Sequence, residues 1–365
     1  MKSTLYSLQY IRGIAATFVL LLHATSLFKV YHHYSYLNNF FRAGYMGVDI
    51  FFVLSGFIIY FVHRPDIGNK EKLKPFLLKR FIRVYPVYWV VLLVVTPLYF
   101  LIPSFGEGFE TNPMFIIKSW LLIPDIHFPI LNVAWSLRHE VLFYIIFGLI
   151  LIFNKNRKVS YSVIALWLTT TCLLFIFMPR DIWEGQNIWI KFLFNPYNID
   201  FALGSLAAHL FVSKENKLKN FGKLSLFFGL IWFAFSWYNQ FSKIIEVHRI
   251  IAWGIPAFFI IFGLVSLESK GKLRHINILF ILGNASYSIY LINYISVSFL
   301  NKIFNYLNLY DIFGYFISIT LCVIITLIAG CILHYVIEMP LIKFIKGLIL
   351  ERKSKGKNNK KEAVA

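Results

Sequence analysis

The chain has 365 residues, of which 58% are hydrophobic, 19% aromatic and only 15% charged. A water-soluble chain of this size needs far more charge to cover its surface, so the composition excludes a soluble globular enzyme or binding module. The formal net charge of +19 is read as membrane topology plus a basic tail, not as a footprint for nucleic acid.

Ten apolar runs are long enough to cross a hydrocarbon core of about 30 Å. In chain order they lie near 7–28, 45–63, 84–103, 133–153, 161–178, 190–212, 222–238, 249–267, 277–299 and 311–337. They are continuous rather than alternating with period two, which predicts helices and not a barrel. The expected fold is an all-α polytopic membrane protein, with one transmembrane domain over 1–345 and a basic, disordered cytoplasmic tail over 346–365. The first run contains Arg12 and lacks a small-x-small cleavage site, so it reads as a retained span and not a signal peptide. Segment 104–132, with its Pro and Gly residues, is the longest outer loop, suited to re-entering the membrane face or to forming a lid. Cys172, Cys322 and Cys331 lie in apolar runs without metal or disulfide spacing, so they read as small buried hydrophobes and no metal is expected.

Charge supports this count. With cytoplasmic N- and C-termini, twenty-six of the 36 Lys and Arg residues fall on inside segments and the tail, and eight fall on outside loops and span edges. That alternation is the positive-inside rule. The tail ERKSKGKNNKKEAVA is suited to anionic lipid.

A charge within a span costs roughly 2.5–3.5 kcal/mol on insertion scales and marks a functional candidate. The set is Arg12, His23, Asp49, Arg138, His139, Glu140, Asp200 and His209. On the first helix, eleven residues separate Arg12 at the cytoplasmic end from His23 in the outer half. That is about three turns, so both face one side about 16 Å apart. Ala15, Ala16 and Val19 between them allow a helix or ligand to come close. On the second helix, Asp49 in the outer half shares a face with Gly56 and Tyr60. On the fourth, Glu140 follows Trp135 and is flanked by Ser136 and Tyr144 at four-residue spacing. A base and two carboxylates are thus expected at similar depth. At the cytosolic start of the third helix, Lys79, Arg80 and Arg83 join Arg12 in a cationic pocket suited to phosphate oxygens. Arg138 is expected to snorkel outward, His139 to be a polar interface residue, and Asp200 to line the cavity or satisfy a helix break after Pro196. His209, near the inner end, is a weak candidate. HEVLF lacks the second histidine of HExxH, so a zinc protease is unsupported.

Seven strings occur in order: IRGIAA leading to His23, GVDIFFVLSGFII, LKRFIRVYPVYW, WSLRHEVLFY, NIDFALGS, LGNASYSIYLIN and IEMPL. Through them the chain resembles the acyltransferase-3 family of bacterial integral membrane proteins over essentially its whole length. The resemblance implies ten spans and transfer of an acyl group to a hydroxyl of a cell-envelope glycan, commonly acetyl from acetyl-coenzyme A. With it comes a location in the bacterial cytoplasmic (inner) membrane. The family's Arg-His pair falls on Arg12 and His23, the glutamate of its W-S-L-x-x-E string on Glu140, the aspartate of its G-V-D string on Asp49, and its basic stretch on Arg80 and Arg83. There is one departure: where many members carry Y-L-x-H, this chain has Tyr290, Leu291, Ile292 and Asn293. A histidine's role there is absent or passes to the amide. Because the last span lies close to the chain's end, the extracytoplasmic hydrolase-like domain of some members is not expected.

Coenzyme A fits this placement. Its phosphates would sit on Lys79, Arg80, Arg83 and Arg12, and its extended arm would carry the thioester up between the helices. A neutral His23 would take the proton of the acceptor hydroxyl as general base, oriented by Glu140 or Asp49. The residues leave open which carboxylate does so, and whether the acyl group passes directly or through His23, Ser136 or a tyrosine. Ser136, Tyr144, Trp135, Asp200 and Asn293 are the candidates for substrate contact. The expected partners are acyl-coenzyme A, membrane lipid, and a cell-surface glycan or lipid-linked sugar as acceptor. Oligomeric state is not legible. A rival reading keeps the fold but uses succinyl-coenzyme A or acylates a small molecule. Another is a transporter or flippase of lipid-linked sugars, which would show two related halves that this chain lacks.

Overall fold

Apolar runs become helices wherever their length permits. The structure, a computed structural model, describes residues 5–152, 157–213 and 217–349. In chain order it contains α1 (Tyr6–His32), α2 (Met46–His63), α3 (Leu73–Leu101), α4 (Pro113–Leu121), α5 (Trp135–Ile152) and α6 (Arg157–Phe177). The short α7 (Arg180–Glu184) and α8 (Ile188–Leu193) come next, then α9 (Tyr197–Val212), α10 (Gly222–Ser242), α11 (Ile255–Glu268), α12 (Asn277–Tyr306) and α13 (Leu309–Leu333). No strand occurs among the described residues. Among them, 8 helical segments are long and apolar enough to cross a membrane. Many large apolar side chains, such as Leu93, Val94 and Ile328, are exposed on their outer faces, as lipid requires. The protein is a multi-pass, all-α membrane protein.

One of the ten expected spans differs. The run at 161–178 falls within α6, a helix of 21 residues. The run at 190–212 is broken between Leu193 and Tyr197. Pro196 has no N–H with which to continue a helix, and Asn195 Oδ1 accepts instead from the Tyr197 N–H at 3.1 Å. Beyond this break runs the 16-residue α9, which reaches only about 24 Å. At the other end of the chain, helix continues from α13 through a π-helical turn, His334–Glu338, as far as Ile349. It therefore extends into the segment expected to be a disordered tail, while residues 350–365 of that tail lie outside the described residues.

Small residues bring the site-bearing helices together. A Cβ on Gly283 of α12 would lie 2.1 Å from the Gln9 carbonyl oxygen of α1, and one on Gly204 of α9 would lie 1.8 Å from the Val53 oxygen of α2. Only glycine permits backbones this close. Ala16 of α1 is buried against Ala285 and Ile289 of α12. The small residues beside Arg12 therefore admit another helix.

The outer segment 104–132 folds back on α3 and is not a free loop. Asn112 caps α4 by accepting from the N–H groups of Met114 and Phe115. Tyr88 and Trp89 of α3 donate to the carbonyls of Ser119 and Trp120 at 2.7 and 2.9 Å.

Candidate active site

Helices α1, α2, α3, α5 and α12 enclose a cavity of about 280 Å³. Its polar lining is Arg12 from α1, Ser55 from α2, Arg80 and Arg83 from α3, Ser136, Glu140 and Tyr144 from α5, and Ser286, Tyr287 and Tyr290 from α12. Helical spacing explains each contribution. Arg80 and Arg83 share a face three residues apart, as do Ser136, Glu140 and Tyr144 four apart.

Each group is held differently. Glu140 accepts from Ser55 Oγ at 3.0 Å and from the Tyr144 hydroxyl. Arg83 Nη1 donates to Glu338 Oε1 at 2.5 Å, and its guanidinium lies 5.4 Å from the centre of the Tyr287 ring. Arg80 Nη2 donates to His63 Nε2 at 3.1 Å, and its guanidinium lies over the rings of Phe76 and Tyr144. Arg12 makes no hydrogen bond or ion pair among the described residues. On the facing wall Ser136 Oγ and the Tyr290 hydroxyl are 2.7 Å apart, and each lies within hydrogen-bond distance of the Val133 carbonyl oxygen, at 3.1 and 3.0 Å. The lining thus carries three guanidinium groups against Glu140, with Glu338 behind Arg83 as a second carboxylate, an excess of one positive charge. Such an excess in a confined cavity suits a polyanion, and planar guanidinium forks match phosphate oxygens.

His23 and Asp49 lie elsewhere. His23 is half-buried beside Tyr294, with ring centroids 5.3 Å apart, one turn along α12 from the cavity-lining Tyr290. Neither of its ring nitrogens is hydrogen-bonded among the described residues, so its lone pair is free. Asp49 is fully buried and held by Arg249, whose Nε and Nη2 donate to its two oxygens, each at 2.6 Å. The face that Asp49 shares with Gly56 and Tyr60 is real, but α9 covers it. Gly56 meets the backbone of Phe201, and the Tyr60 hydroxyl lies 2.7 Å from His209 Nδ1. Glu140 instead meets Ser55, six residues along α2 from Asp49, which is about 9 Å in depth. Asp49 and Glu140 therefore do not share one level, and His23 is not among the residues lining the cavity.

The remaining candidates are dispersed. Lys79 is exposed and outside the cavity lining. Trp135 packs against Tyr197 and His139, with its ring 5.0 Å from that of Tyr197. His139 is buried among Phe52, Trp135, Phe192 and Tyr197, an interface residue as expected. Asp200 is buried, borders Gly254, and lies beside Asp49 and Arg249. Asn293 is buried, its Nδ2 donating to the Tyr290 carbonyl at 2.9 Å. Arg138 does not snorkel: it is buried, and Nη1 donates to the carbonyls of His127 and Asp125 at 3.1 and 3.4 Å, which pins the outer loop. His209 is exposed. No group of three or more His, Cys, Asp or Glu residues that would hold a metal ion occurs among the described residues.

Three contributors escape sequence reasoning. Glu338 lies beyond the expected last span, yet it is fully buried and binds Arg83. A lone carboxylate in the apolar string I-E-M-P is its signal. Arg249 reads by position as a span-edge charge. Tyr287 is visible only as part of a motif.

Comparison with known proteins agrees with this architecture. The acyltransferase-3 family profile, described as an acyltransferase domain, matches residues 5–335. The exopolysaccharide production protein ExoZ of Rhizobium meliloti is 24% identical over 283 residues, covering 75% of this chain and 83% of its own. The peptidoglycan O-acetyltransferase OatA of Listeria monocytogenes is 26% identical over 194 residues, 46% of this chain and 30% of that longer protein. No solved structure matches significantly. With Arg12, Arg80, Arg83 and Glu140 of these motifs lining one cavity and the family profile covering nearly the whole chain, the protein belongs to the acyltransferase-3 family and is a membrane-embedded acyltransferase.

Proposed function

We propose that the protein moves an acyl group, acetyl, from cytosolic acetyl-coenzyme A to a hydroxyl of a cell-envelope polysaccharide or its lipid-linked precursor. The observation that carries this reading is the cavity in which Arg12, Arg80 and Arg83 face Glu140. Guanidinium groups answer the phosphates of a nucleotide-bearing donor, and the carboxylate lies where a thioester arm would lead. The names of ExoZ and OatA support an envelope glycan as acceptor and acetyl as the group moved. The distribution of lysine and arginine supports cytoplasmic termini and a bacterial inner membrane.

In this reading the neutral imidazole of His23 removes the acceptor's hydroxyl proton. The oxygen attacks the thioester carbonyl, the carbon–sulfur bond breaks, and coenzyme A leaves as its thiol after taking up a proton. Glu140, held by Ser55 and Tyr144, supplies negative charge that favours the imidazolium formed when His23 takes up that proton. The Tyr290 and Ser136 hydroxyls are donors for the developing oxyanion.

The test uses purified protein in lipid nanodiscs, labelled acetyl-coenzyme A and envelope glycan. The wild type is expected to transfer label and His23→Ala to lose at least about 100-fold in rate. Undiminished transfer by His23→Ala removes His23 as the base. No consumption of acetyl-coenzyme A by the wild type removes the donor.

A further inference from the structure

Two of the three cavity arginines are tethered, and a histidine–carboxylate pair lies behind each tether. Glu338 is fully buried, and its two oxygens are divided between partners on three elements. Oε1 accepts from Arg83 Nη1 at 2.5 Å, while Oε2 accepts from Ser288 Oγ and from His334 Nδ1, each at 2.7 Å. The π-helical turn His334–Glu338 sets histidine and carboxylate on one face. A buried carboxylate with three donors does not move cheaply, so Arg83 is fixed at its tip while its remaining N–H groups have no protein acceptor among the described residues.

Arg80 repeats the pattern through a histidine. His63 Nδ1 lies 2.9 Å from Asp66 Oδ2. A carboxylate accepts, so the ring proton sits on Nδ1 and Nε2 keeps a lone pair. That lone pair receives Arg80 Nη2 at 3.1 Å. Arg12, by contrast, has no such tether among the described residues.

We infer that Glu338 with His334, and His63 with Asp66, are positioning residues that hold Arg83 and Arg80 ready for the anionic end of an acyl-coenzyme A donor. An arginine ordered in advance loses less freedom on binding, and the ligand's affinity gains by that difference. Donor binding in this cavity is itself the proposed function, so the test separates the two.

The full chain in nanodiscs is titrated with coenzyme A and assayed with acetyl-coenzyme A. Glu338→Gln removes the charge that all three donors meet and keeps only one acceptor oxygen, and donor KM and Kd are expected to rise about tenfold or more with kcat nearly unchanged. Arg83→Lys is expected to raise donor KM similarly, and the double variant to be no worse than Arg83→Lys alone, because both changes remove one coupled interaction. Asp66→Asn, at a half-buried site, is expected to raise donor KM about threefold, and it carries the test should Glu338→Gln fail to fold. An unchanged donor KM in the folded variants overturns the inference, as do effects that multiply in the double variant. Coenzyme A binding by the wild type and by Glu338→Gln with equal affinity overturns the inference alone. No binding by the wild type overturns the donor reading and the inference with it.

Discussion

Replacing Arg249 with methionine strands a buried charge. Asp49 is fully buried, and Arg249 grips both of its oxygens at 2.6 Å. The guanidinium also lies 4.2 Å from the centre of the Tyr197 ring and 5.1 Å from that of Tyr45. Removing one partner of a buried pair costs about 3–5 kcal/mol, because the other charge is left without compensation. The lost ring contacts add about 0.5–2 kcal/mol. Arg249→Met is therefore expected to lower stability by about 4 kcal/mol, roughly a thousandfold in the folded-to-unfolded ratio. Converting Asp49 to Asn as well removes its stranded charge but leaves Asp200 beside it without Arg249, so the double variant is expected to recover part of the loss. Unfolding in mild detergent, followed by tryptophan fluorescence, measures both. A single variant as stable as the wild type, or a double variant less stable than the single, refutes the reasoning.

Glu140→Gln keeps the Ser55 contact but removes the charge, and acyl transfer is expected to fall about 100-fold or more with donor affinity retained. A rate near that of the wild type contradicts a role for this carboxylate in the chemistry. Gly204→Ala places a methyl group 1.8 Å from the Val53 oxygen. The α2–α9 contact must open, at a cost of about 2–3 kcal/mol, and a variant melting with the wild type contradicts the close approach. Asp200→Asn exchanges a buried carboxyl that lies against the like-charged Asp49 for a neutral isostere, so stability should hold or rise; a large loss would show that its charge is needed. In the outer loop, burial works to raise the Asp125 pKa, but the Lys118 ammonium at 2.8 Å and the His127 N–H at 3.1 Å outweigh it and hold it below its ordinary 3.8. A depressed folded pKa stabilises above the unfolded value and loses that stabilisation as pH falls through the folded one. Hydrogen exchange in 122–131 should therefore rise only as pH drops below 3.8, and Asp125→Asn should abolish that dependence. A loop that opens equally in both proteins contradicts the pairing.

Helical periodicity encodes which residues share a face, and that part of the site is legible in the sequence. Arg80 groups with Arg83, and Ser136 with Glu140 and Tyr144, from spacing alone. Periodicity does not say which helix covers a face. Spacing aims Asp49 at the catalytic centre, whereas α9 and Arg249 enclose it. Depth is no safer, because counting residues from an uncertain span boundary misplaces Glu140 relative to Asp49. Glu338 is hidden for another reason. A π-helical turn at His334–Glu338 breaks the regular helical phase, and the hydrophobic run ends just before it. The break at Asn195–Pro196 is visible as punctuation, but apolar composition on either side suggests one span.

The most direct measurement is a structure of the full chain in lipid nanodiscs with coenzyme A bound. The phosphates are expected against Arg80, Arg83 and Arg12, with the sulfur end of the arm running toward Glu140. Coenzyme A bound at any other face, or a cavity closed to the cytosol with the ligand outside it, would contradict the assignment of this cavity to the donor.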